Sequence, residues 1–436
     1  MAVKAGGAPL YRQIQSDLRE RVSSRELEPG AQVETEQELM ARYGVSRATV
    51  RQALSGLVAE GLLEIKRGRG TFVHGAALEH VTPAAMSAST SISAPEIRRR
   101  VEASLPWREA SAAAPGIEAA LEIARNVSRD LVDRLDGATR IVITGAGSSL
   151  YTAQVAAFAM REESNLPAEA QPLSEVLLRP DAIFAGQPIA DQPLIVVSRS
   201  GTTTEALEVL RAAHERGQFT VAVTCRPEAP MAALAEMALA IPAGNDDAIV
   251  MTRSFVSQAS LLLRLGARLG SPELAADLDT MPSRWPETAP YIEQAYELAA
   301  TAPSRLIVLG AGPAFGIANE TVLKITETGQ VPAAAFHPFE FRHGPISVCE
   351  PGVIVAAVLG GPNEAEERRV VEEAASLGAT PFVLGSDGPG GRLHPIARLP
   401  LAMHVLQALA FGAAVERGRD LEAPRHLEQV VVIEGR

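Results

Sequence analysis

Arg140-Ile-Val-Ile-Thr-Gly-Ala-Gly147 is answered later in the chain by Arg305-Leu-Ile-Val-Leu-Gly-Ala-Gly312. Each copy is a short apolar run, the pattern of a strand buried on both faces, closed by a glycine-rich turn and followed by a helical stretch. A second pair, Leu194-Ile-Val-Val-Ser198 and Val353-Ile-Val-Ala-Ala357, repeats the plan. Each of these runs through a polar loop and a helix into a further apolar run, at 219–224 and 380–384. Strands alternating with helices build a parallel sheet covered on both sides. The duplication therefore predicts two three-layer α/β lobes with parallel sheets, over about 138–270 and 300–400, preceded by a helical lead-in from residue 96 to 137.

The 436 residues are 47% hydrophobic and 21% charged, which supplies ample core material and excludes wholesale disorder. The apolar run from Gly352 to Leu359 is far too short to span a membrane, and the opening residues carry no hydrophobic signal segment, so a cytoplasmic protein without membrane attachment is expected. Cys225 and Cys349 lie far apart with no metal-ligand spacing, so neither disulfide, metal nor cofactor is expected.

The net charge of −12 conceals a division. Residues 1–75 hold 11 basic and 9 acidic side chains, a balance of +2, and the remainder carries −14. Within the first segment Arg42, Arg47, Arg51, Lys66, Arg67 and Arg69 cluster toward one end. Ile14, Leu18 and Val22 mark one face of an amphipathic helix ended by Glu28-Pro29-Gly30. Thr35 with Glu38 forms a capping box that opens a second helix to Tyr43. Ser46 caps a third, about 47–60, with Val50, Leu54, Leu57 and Val58 facing inward. Two short strands, 62–65 and 71–73, flank the tip Lys66-Arg67-Gly68-Arg69-Gly70. Helix, turn, helix and basic hairpin make a winged helix-turn-helix of α+β type. Arg47, Thr49 and Arg51 would meet base edges and phosphates in a major groove, and Arg67, Arg69 and Gly70 would lie against the backbone. A small helical module for protein contacts is the alternative. Residues 76–95, rich in Ala, Ser, Thr and Pro, read as a linker. The resulting division is 1–75, 76–95, 96–290 and 291–436.

Two loops of the first lobe, Gly147-Ser148-Ser149 and Ser198-Arg199-Ser200-Gly201-Thr202-Thr203, sit at strand ends and helix starts. Unpaired N–H groups, the helix dipole and hydroxyls favour an anion there, although any single Ser is commonly just a cap. The matching second-lobe loop, Val358-Leu359-Gly360-Gly361-Pro362-Asn363, has no hydroxyl, which leaves one expected phosphate site per chain. Neither glycine turn completes G-x-G-x-x-G, so a dinucleotide site is disfavoured. Glu320, Lys324 and Glu327 share an arc of about 60° on an α-helix. Lys324 is one of only three lysines in the chain. A cation beside a carboxylate keeps it ionised and able to move a carbon-bound proton, and a solvated ion-pair stripe is the alternative. His343, in a loop held by Gly344 and Pro345, is a better acid–base candidate than His337.

Residues 9–75 resemble the GntR family of bacterial regulators, through Tyr43-Gly-Val-Ser-Arg-Ala-Thr-Val-Arg-Gln-Ala-Leu54, Ala59-Glu-Gly-Leu-Leu63 and Gly68-Arg-Gly-Thr-Phe-Val73. The resemblance implies operator DNA as a partner, with contacts at Arg47, Thr49, Arg51 and the wing near Gly70. Gln37 stands where that family usually has a DNA-contacting arginine. Residues 96–436 resemble a double sugar-isomerase (SIS) domain, as in the isomerase half of glucosamine-6-phosphate synthase and its deaminase relatives. The matches are Gly145-Ala-Gly-Ser-Ser149, Ser198-Arg-Ser-Gly-Thr-Thr203, Val250-Met-Thr-Arg-Ser-Phe255, Glu320-x-x-x-Lys-x-x-Glu327, Glu340-Phe-Arg-His-Gly-Pro345 and Asp420-Leu-Glu-Ala-Pro-Arg425. This resemblance implies phosphate contacts at Ser148, Ser149, Ser198, Ser200 and Thr203, and further sugar contacts at Thr252 and Glu320. It implies proton transfer by Glu327 with Lys324 alongside, and ring opening by His343 reaching into a neighbouring subunit of a homodimer. Gln429 replaces the synthase's imine-forming lysine, which disfavours synthase chemistry and leaves deamination or aldose–ketose exchange open. The sequence reading is a DNA-binding regulator with a hexose or hexosamine phosphate as effector. An isomerase or deaminase carrying a DNA-binding head is the alternative.

Overall fold

The computed structural model describes residues 10–23, 26–28, 30–59, 62–66, 70–74 and 92–429. Arg67 and Arg69 of the basic tip, and residues 76–91 of the linker, lie outside the described residues. The chain divides into two compact units, residues 1–90 and 91–436.

Among the described residues the first unit has three helices, α1 (Leu10–Ser23), α2 (Glu36–Tyr43) and α3 (Arg47–Ala59), and a two-stranded antiparallel sheet of β1 (Leu63–Lys66) and β2 (Gly70–Val73). Its core joins Ile14, Leu18 and Val22 of α1 to Val50, Leu54 and Leu57 of α3. The apolar period of the sequence is thus the packing face. The capping box is present: the Thr35 hydroxyl accepts from the Glu38 N–H at 3.3 Å, and the Thr35 N–H donates to Glu38 Oε2 at 2.7 Å. Ser46 Oγ likewise accepts from the Thr49 N–H at 3.3 Å. Strand register pairs Leu63 with Val73 and Lys66 with Gly70.

The second unit opens with four helices between Ala94 and Asp136 and then forms two sheets. The first has strands β3 (Ile141–Gly145), β4 (Ala168–Pro172), β5 (Leu194–Val197), β6 (Thr220–Thr224) and β7 (Met237–Ala240) in spatial order 4-3-5-6-7, all parallel. The second has β8 (Arg305–Gly310), β9 (Ala333–Phe336), β10 (Val353–Val358) and β11 (Thr380–Leu384) in order 11-10-8-9, also all parallel. Read from the mates of β4 onward, the two orders coincide, so the sequence repeat is a repeat of topology. Each sheet is covered on both faces. In the first lobe Ile141, Ile143 and Ile195 face one apolar layer, and Val142, Leu194 and Val196 face the other.

The duplicated turns share one backbone geometry. Gly147 has φ 55° and ψ −128°, and Gly312 has φ 56° and ψ −132°. A side chain is strained at this φ, which is why both positions are glycine. The glycines two residues earlier are needed for space: a Cβ on Gly145 would meet the Ser149 carbonyl carbon at 2.5 Å, and one on Gly310 would meet the Ala314 oxygen at 2.5 Å.

Besides the apolar layers against its own sheet, each lobe contributes to a shared core. One apolar cluster joins Ile97 and Val101 of the lead-in, Phe255 and Leu263 of helix Arg253–Gly270, and Val405 and Phe411 of helix Leu399–Glu416. The segment Pro395–Glu416 is apolar and long enough to cross a membrane, but 94% of its apolar 18-residue stretch is buried inside the fold, which makes it a core helix. In the sequence, Arg398, His404 and Gln407 interrupt its apolar runs.

Candidate functional site

The two glycine-turn helices, Ser148–Ser164 and Pro313–Lys324, pack side by side. Their approach is close because Gly316 has no side chain: a Cβ there would meet Val155 Cγ2 at 2.6 Å and the Tyr151 oxygen at 2.9 Å. The Asn319 amide donates to Gln154 Oε1 at 2.9 Å along the same seam. This contact carries the serine turn of the first lobe to the charged helix of the second.

The result is a crevice of about 240 Å³ at the carboxyl ends of β3 and β5. Ser148, Ser149, Ser198, Ser200 and Thr203 all line it, together with Lys324 and Glu327. The serines open helix Ser148–Ser164, and the second loop leads into helix Thr204–Glu215, so two helix N-termini converge on one space. Local hydrogen bonds shape the second loop. Ser198 Oγ accepts from the Gly201 N–H at 3.2 Å and lies 3.2 Å from Thr203 Oγ1, and Ser200 Oγ accepts from the Thr202 N–H at 3.3 Å. Two hydroxyl-bearing, positively polarised helix starts favour negative charge in the space between them.

Lys324 is fully buried, and its Nζ stands 2.6 Å from Glu327 Oε2 and 3.4 Å from Glu320 Oε1. Burial alone would push this ammonium down, and the two carboxylates more than offset that, so it is held above its ordinary value. Burial pushes the Glu320 carboxyl up, against the pull of Lys324 and of the Ser148 hydroxyl. A protonated Glu320 leaves one cation facing one carboxylate, Glu327, whose side chain is 20% exposed to the crevice. Glu327 is placed by a feature that α-helical spacing did not foresee: the helix passes at Ile325 into a π-helical turn, Ile325–Gly329. Such turns re-aim side chains, and they recur at functional sites. The pair can hold and move a proton at a carbon next to a bound carbonyl.

Glu320 and Thr252 do not line the crevice. Glu320 lies behind Lys324, fully buried. Thr252 Oγ1 donates to Asp246 Oδ1 at 2.9 Å, which commits that hydroxyl to holding the turn before helix Arg253–Gly270, and its neighbours Val250 and Met251 reach the crevice instead. His343 is exposed after the short helix Pro338–Phe341 and lies outside the crevice of its own chain. His337 stacks on Phe315 with ring centroids 3.9 Å apart.

Sequence reading missed Arg199. It is 6% exposed and lines the crevice. Its guanidinium donates to the carbonyls of Ala248 at 2.9 Å, Ile249 at 3.2 Å and Gln429 at 2.8 Å. Gln429 in turn donates from Nε2 to the Asp247 carbonyl at 3.1 Å. One arginine thus ties the serine loop to the 246–251 turn and to the tail. Its position inside the serine motif was the available signal.

On the first unit, Arg47 and Arg51 project from α3 with side chains 60% and 63% exposed. Both face Glu36 of α2, at 3.6 Å and 2.8 Å. Thr49 is half-buried beside Ser46, their hydroxyls 2.9 Å apart, and Gly70 is exposed at the start of β2.

Comparison with known proteins agrees with both geometries. Residues 10–73 match the bacterial regulatory proteins of the gntR family, and residues 134–267 and 300–405 match the SIS domain. A glutamine–fructose-6-phosphate aminotransferase [isomerizing] of Tropheryma whipplei (strain Twist) is 27% identical over 331 residues, 69% of this chain and 53% of that protein. The chain spans about half the length of the curated relatives it matches. Among solved structures, glucosamine-6-phosphate deaminase of Thermotoga maritima superposes with TM-score 0.64 at 25% identity, covering 76% of this chain and 100% of that one. The C-terminal domain of glucosamine-fructose-6-phosphate aminotransferase from Francisella tularensis superposes with TM-score 0.64 at 17% identity, covering 73% and 98%. The repeated sheet order and the matched segments, which together exceed half the chain, lead to one conclusion: the protein belongs to the SIS domain family and carries, ahead of its two SIS lobes, a winged helix-turn-helix of the bacterial gntR regulatory family.

Proposed function

We propose that this protein is a transcriptional regulator whose first SIS lobe binds a phosphorylated hexose or hexosamine as effector. The observation that carries the reading is the convergence of two hydroxyl-lined helix N-termini on one crevice, in a chain that also bears a DNA-reading unit. The phosphoryl group sits among Ser148, Ser149, Ser198, Ser200 and Thr203, and the sugar extends toward Lys324 and Glu327. The protein works in the cytoplasm as a homodimer on operator DNA, and His343 of a second copy completes each crevice. A ligand that favours one arrangement of the dimer shifts the spacing of the two reading heads, and with it operator affinity.

The test is affinity for DNA selected by the protein from a random pool, measured with and without glucosamine 6-phosphate and glucose 6-phosphate at millimolar concentration. A shift in affinity that is lost on Ser200→Ala is expected. An unchanged affinity with every sugar phosphate tried rejects the reading.

The Lys324–Glu327 pair inside the crevice favours one further reading, an isomerase or deaminase that also binds DNA. It requires release of ammonia or ketose from glucosamine 6-phosphate by the whole chain, abolished by Glu327→Gln. No turnover leaves the regulator alone.

A further inference from the structure

Arg199 does not hold the 246–251 turn alone. Glu109, in the lead-in helix Leu105–Ser111, grips the same backbone. Its carboxylate is 6% exposed and accepts from the Asp247 N–H at 2.7 Å and the Ala248 N–H at 3.1 Å. Arg199 takes the carbonyls of Ala248 and Ile249. Ala248 is thus bonded to both charges, to the acid through its N–H and to the guanidinium through its C=O. Two other charged groups flank Glu109. Arg253 Nη2 lies 3.6 Å from Glu109 Oε1. Asp246 is spent on the start of helix Arg253–Gly270, where it accepts from the N–H groups of Thr252, Arg253 and Ser254. A buried carboxylate keeps its charge at tolerable cost only while donors satisfy it, so Glu109 and the two amides are held together. The turn is also a wall of the crevice, through Ile249, Val250 and Met251.

The short helix that carries Glu109 is fixed at further points. Its Leu105 N–H donates to Glu422 Oε1 at 2.7 Å, in the tail that Arg199 holds at Gln429. Trp107 stacks on His404 of the core helix with ring centroids 4.9 Å apart, and Trp285 stacks on the same imidazole at 4.7 Å. The next lead-in helix, Ala114–Arg125, packs on the approach to the turn without slack: a Cβ on Gly116 would meet Gly244 Cα at 2.9 Å and the Ala243 oxygen at 3.0 Å. Helix Ala94–Ala103, just before Leu105, is the first described helix of the second unit, where the chain arrives from the DNA-reading unit. The lead-in therefore bonds to the crevice wall and is continuous in sequence with the reading head.

We propose that Glu109 is the residue that couples the crevice to the lead-in. Arg199 stands between Ser198 and Ser200, so a ligand that orders the serine loop displaces the guanidinium and, with it, the backbone at Ala248. Glu109 carries that displacement into helix Leu105–Ser111, and the lead-in passes it to the chain that bears the DNA-reading unit. This coupling rests on the sugar-phosphate effector reading above and names the route its signal takes.

The test compares the full-length protein with Glu109→Gln, which keeps the shape but sets an amide donor against one of the two N–H groups. Three quantities are read: glucose 6-phosphate binding by calorimetry, tryptophan emission, and affinity for DNA selected by the protein from a random pool. The only two tryptophans of the chain lie on the His404 stack, so emission reports the seat of the lead-in helix. In the wild type, glucose 6-phosphate is expected to change both emission and DNA affinity. Glu109→Gln is expected to bind glucose 6-phosphate still, while the ligand's effect on DNA affinity shrinks at least about fivefold and the emission change is lost. A variant that keeps both responses overturns the proposal, and so does one that no longer binds the sugar phosphate, because the effect then arises in the crevice itself. If Glu109→Gln does not fold, hydrogen exchange in the unaltered protein decides. Glucose 6-phosphate is then expected to slow exchange at Asp247, Ala248 and residues 105–111 together, and slowing confined to the serine loops rejects the coupling. A wild type that binds no glucose 6-phosphate rejects the effector reading and the coupling with it, whereas binding with unaltered emission rejects the coupling alone.

Discussion

Two charged residues behave differently from the expectation their chemistry raises. Arg51, the DNA-reading candidate, is tied to Glu36 at 2.8 Å before any DNA arrives. A phosphate reaching Arg51 would compete with this carboxylate. Arg51→Ala is expected to weaken DNA binding and to lower the slope of log affinity against log salt by about 1, read from titrations across salt concentrations. Glu320 shows the cost of burying an acid. Its folded value lies above its ordinary 4.5, at about 8. The folded protein therefore holds a proton that the unfolded chain releases as pH rises from 4.5 toward 8. The stabilisation from this group is complete below the lower value and is lost as pH climbs through the upper one. Glu320→Gln is expected to flatten the fall in melting temperature across that window, and a fall as steep as in the wild type would contradict the assignment.

Among the elements, the seam between helices Ser148–Ser164 and Pro313–Lys324 positions the site. It depends on Gly316, whose missing side chain lets the backbones meet. Gly316→Val is expected to destabilise the fold by about 1–3 kcal/mol through overpacking, and to weaken sugar-phosphate binding by separating Ser148 from Lys324. Calorimetry and ligand titration on the same variant measure both. The elements themselves were largely legible. The apolar runs at 141–145, 194–197, 305–310 and 353–358 are strands because nothing polar interrupts them. Strands β4 and β9 were not legible: Ala-Glu-Ala-Gln-Pro and Ala-Ala-Ala-Phe have weak strand preference, and each forms because β3 or β8 offers it a free edge.

Over the whole of the second unit, a single buried arginine ties segments far apart in sequence. Arg199 reaches the 246–251 turn and Gln429 through backbone carbonyls alone. Burial holds its guanidinium below the ordinary value, against the opposing pull of Asp246 and Glu109. Arg199→Ala is expected to release the tail. Faster amide hydrogen exchange at residues 424–429 and weaker sugar-phosphate binding would follow together. Retained protection there would show that the tail is held by something else.

The central strands of both sheets, the repeat, the capped helices of the DNA-reading unit and the hydroxyl-rich loops were determined by local pattern, because periodicity, turn residues and caps act over a few neighbouring positions. The two loops could be located on those grounds, and the resemblance to the SIS family singled out Ser148, Ser149, Ser198, Ser200 and Thr203 within them. Their meeting with Lys324 and Glu327 in one crevice could not, nor could the π-helical turn at Ile325–Gly329 or the clamp of Arg199 on Gln429. Those depend on how closely two helices approach and on which charges are buried together, and only the packed structure decides distances between groups more than a hundred positions apart.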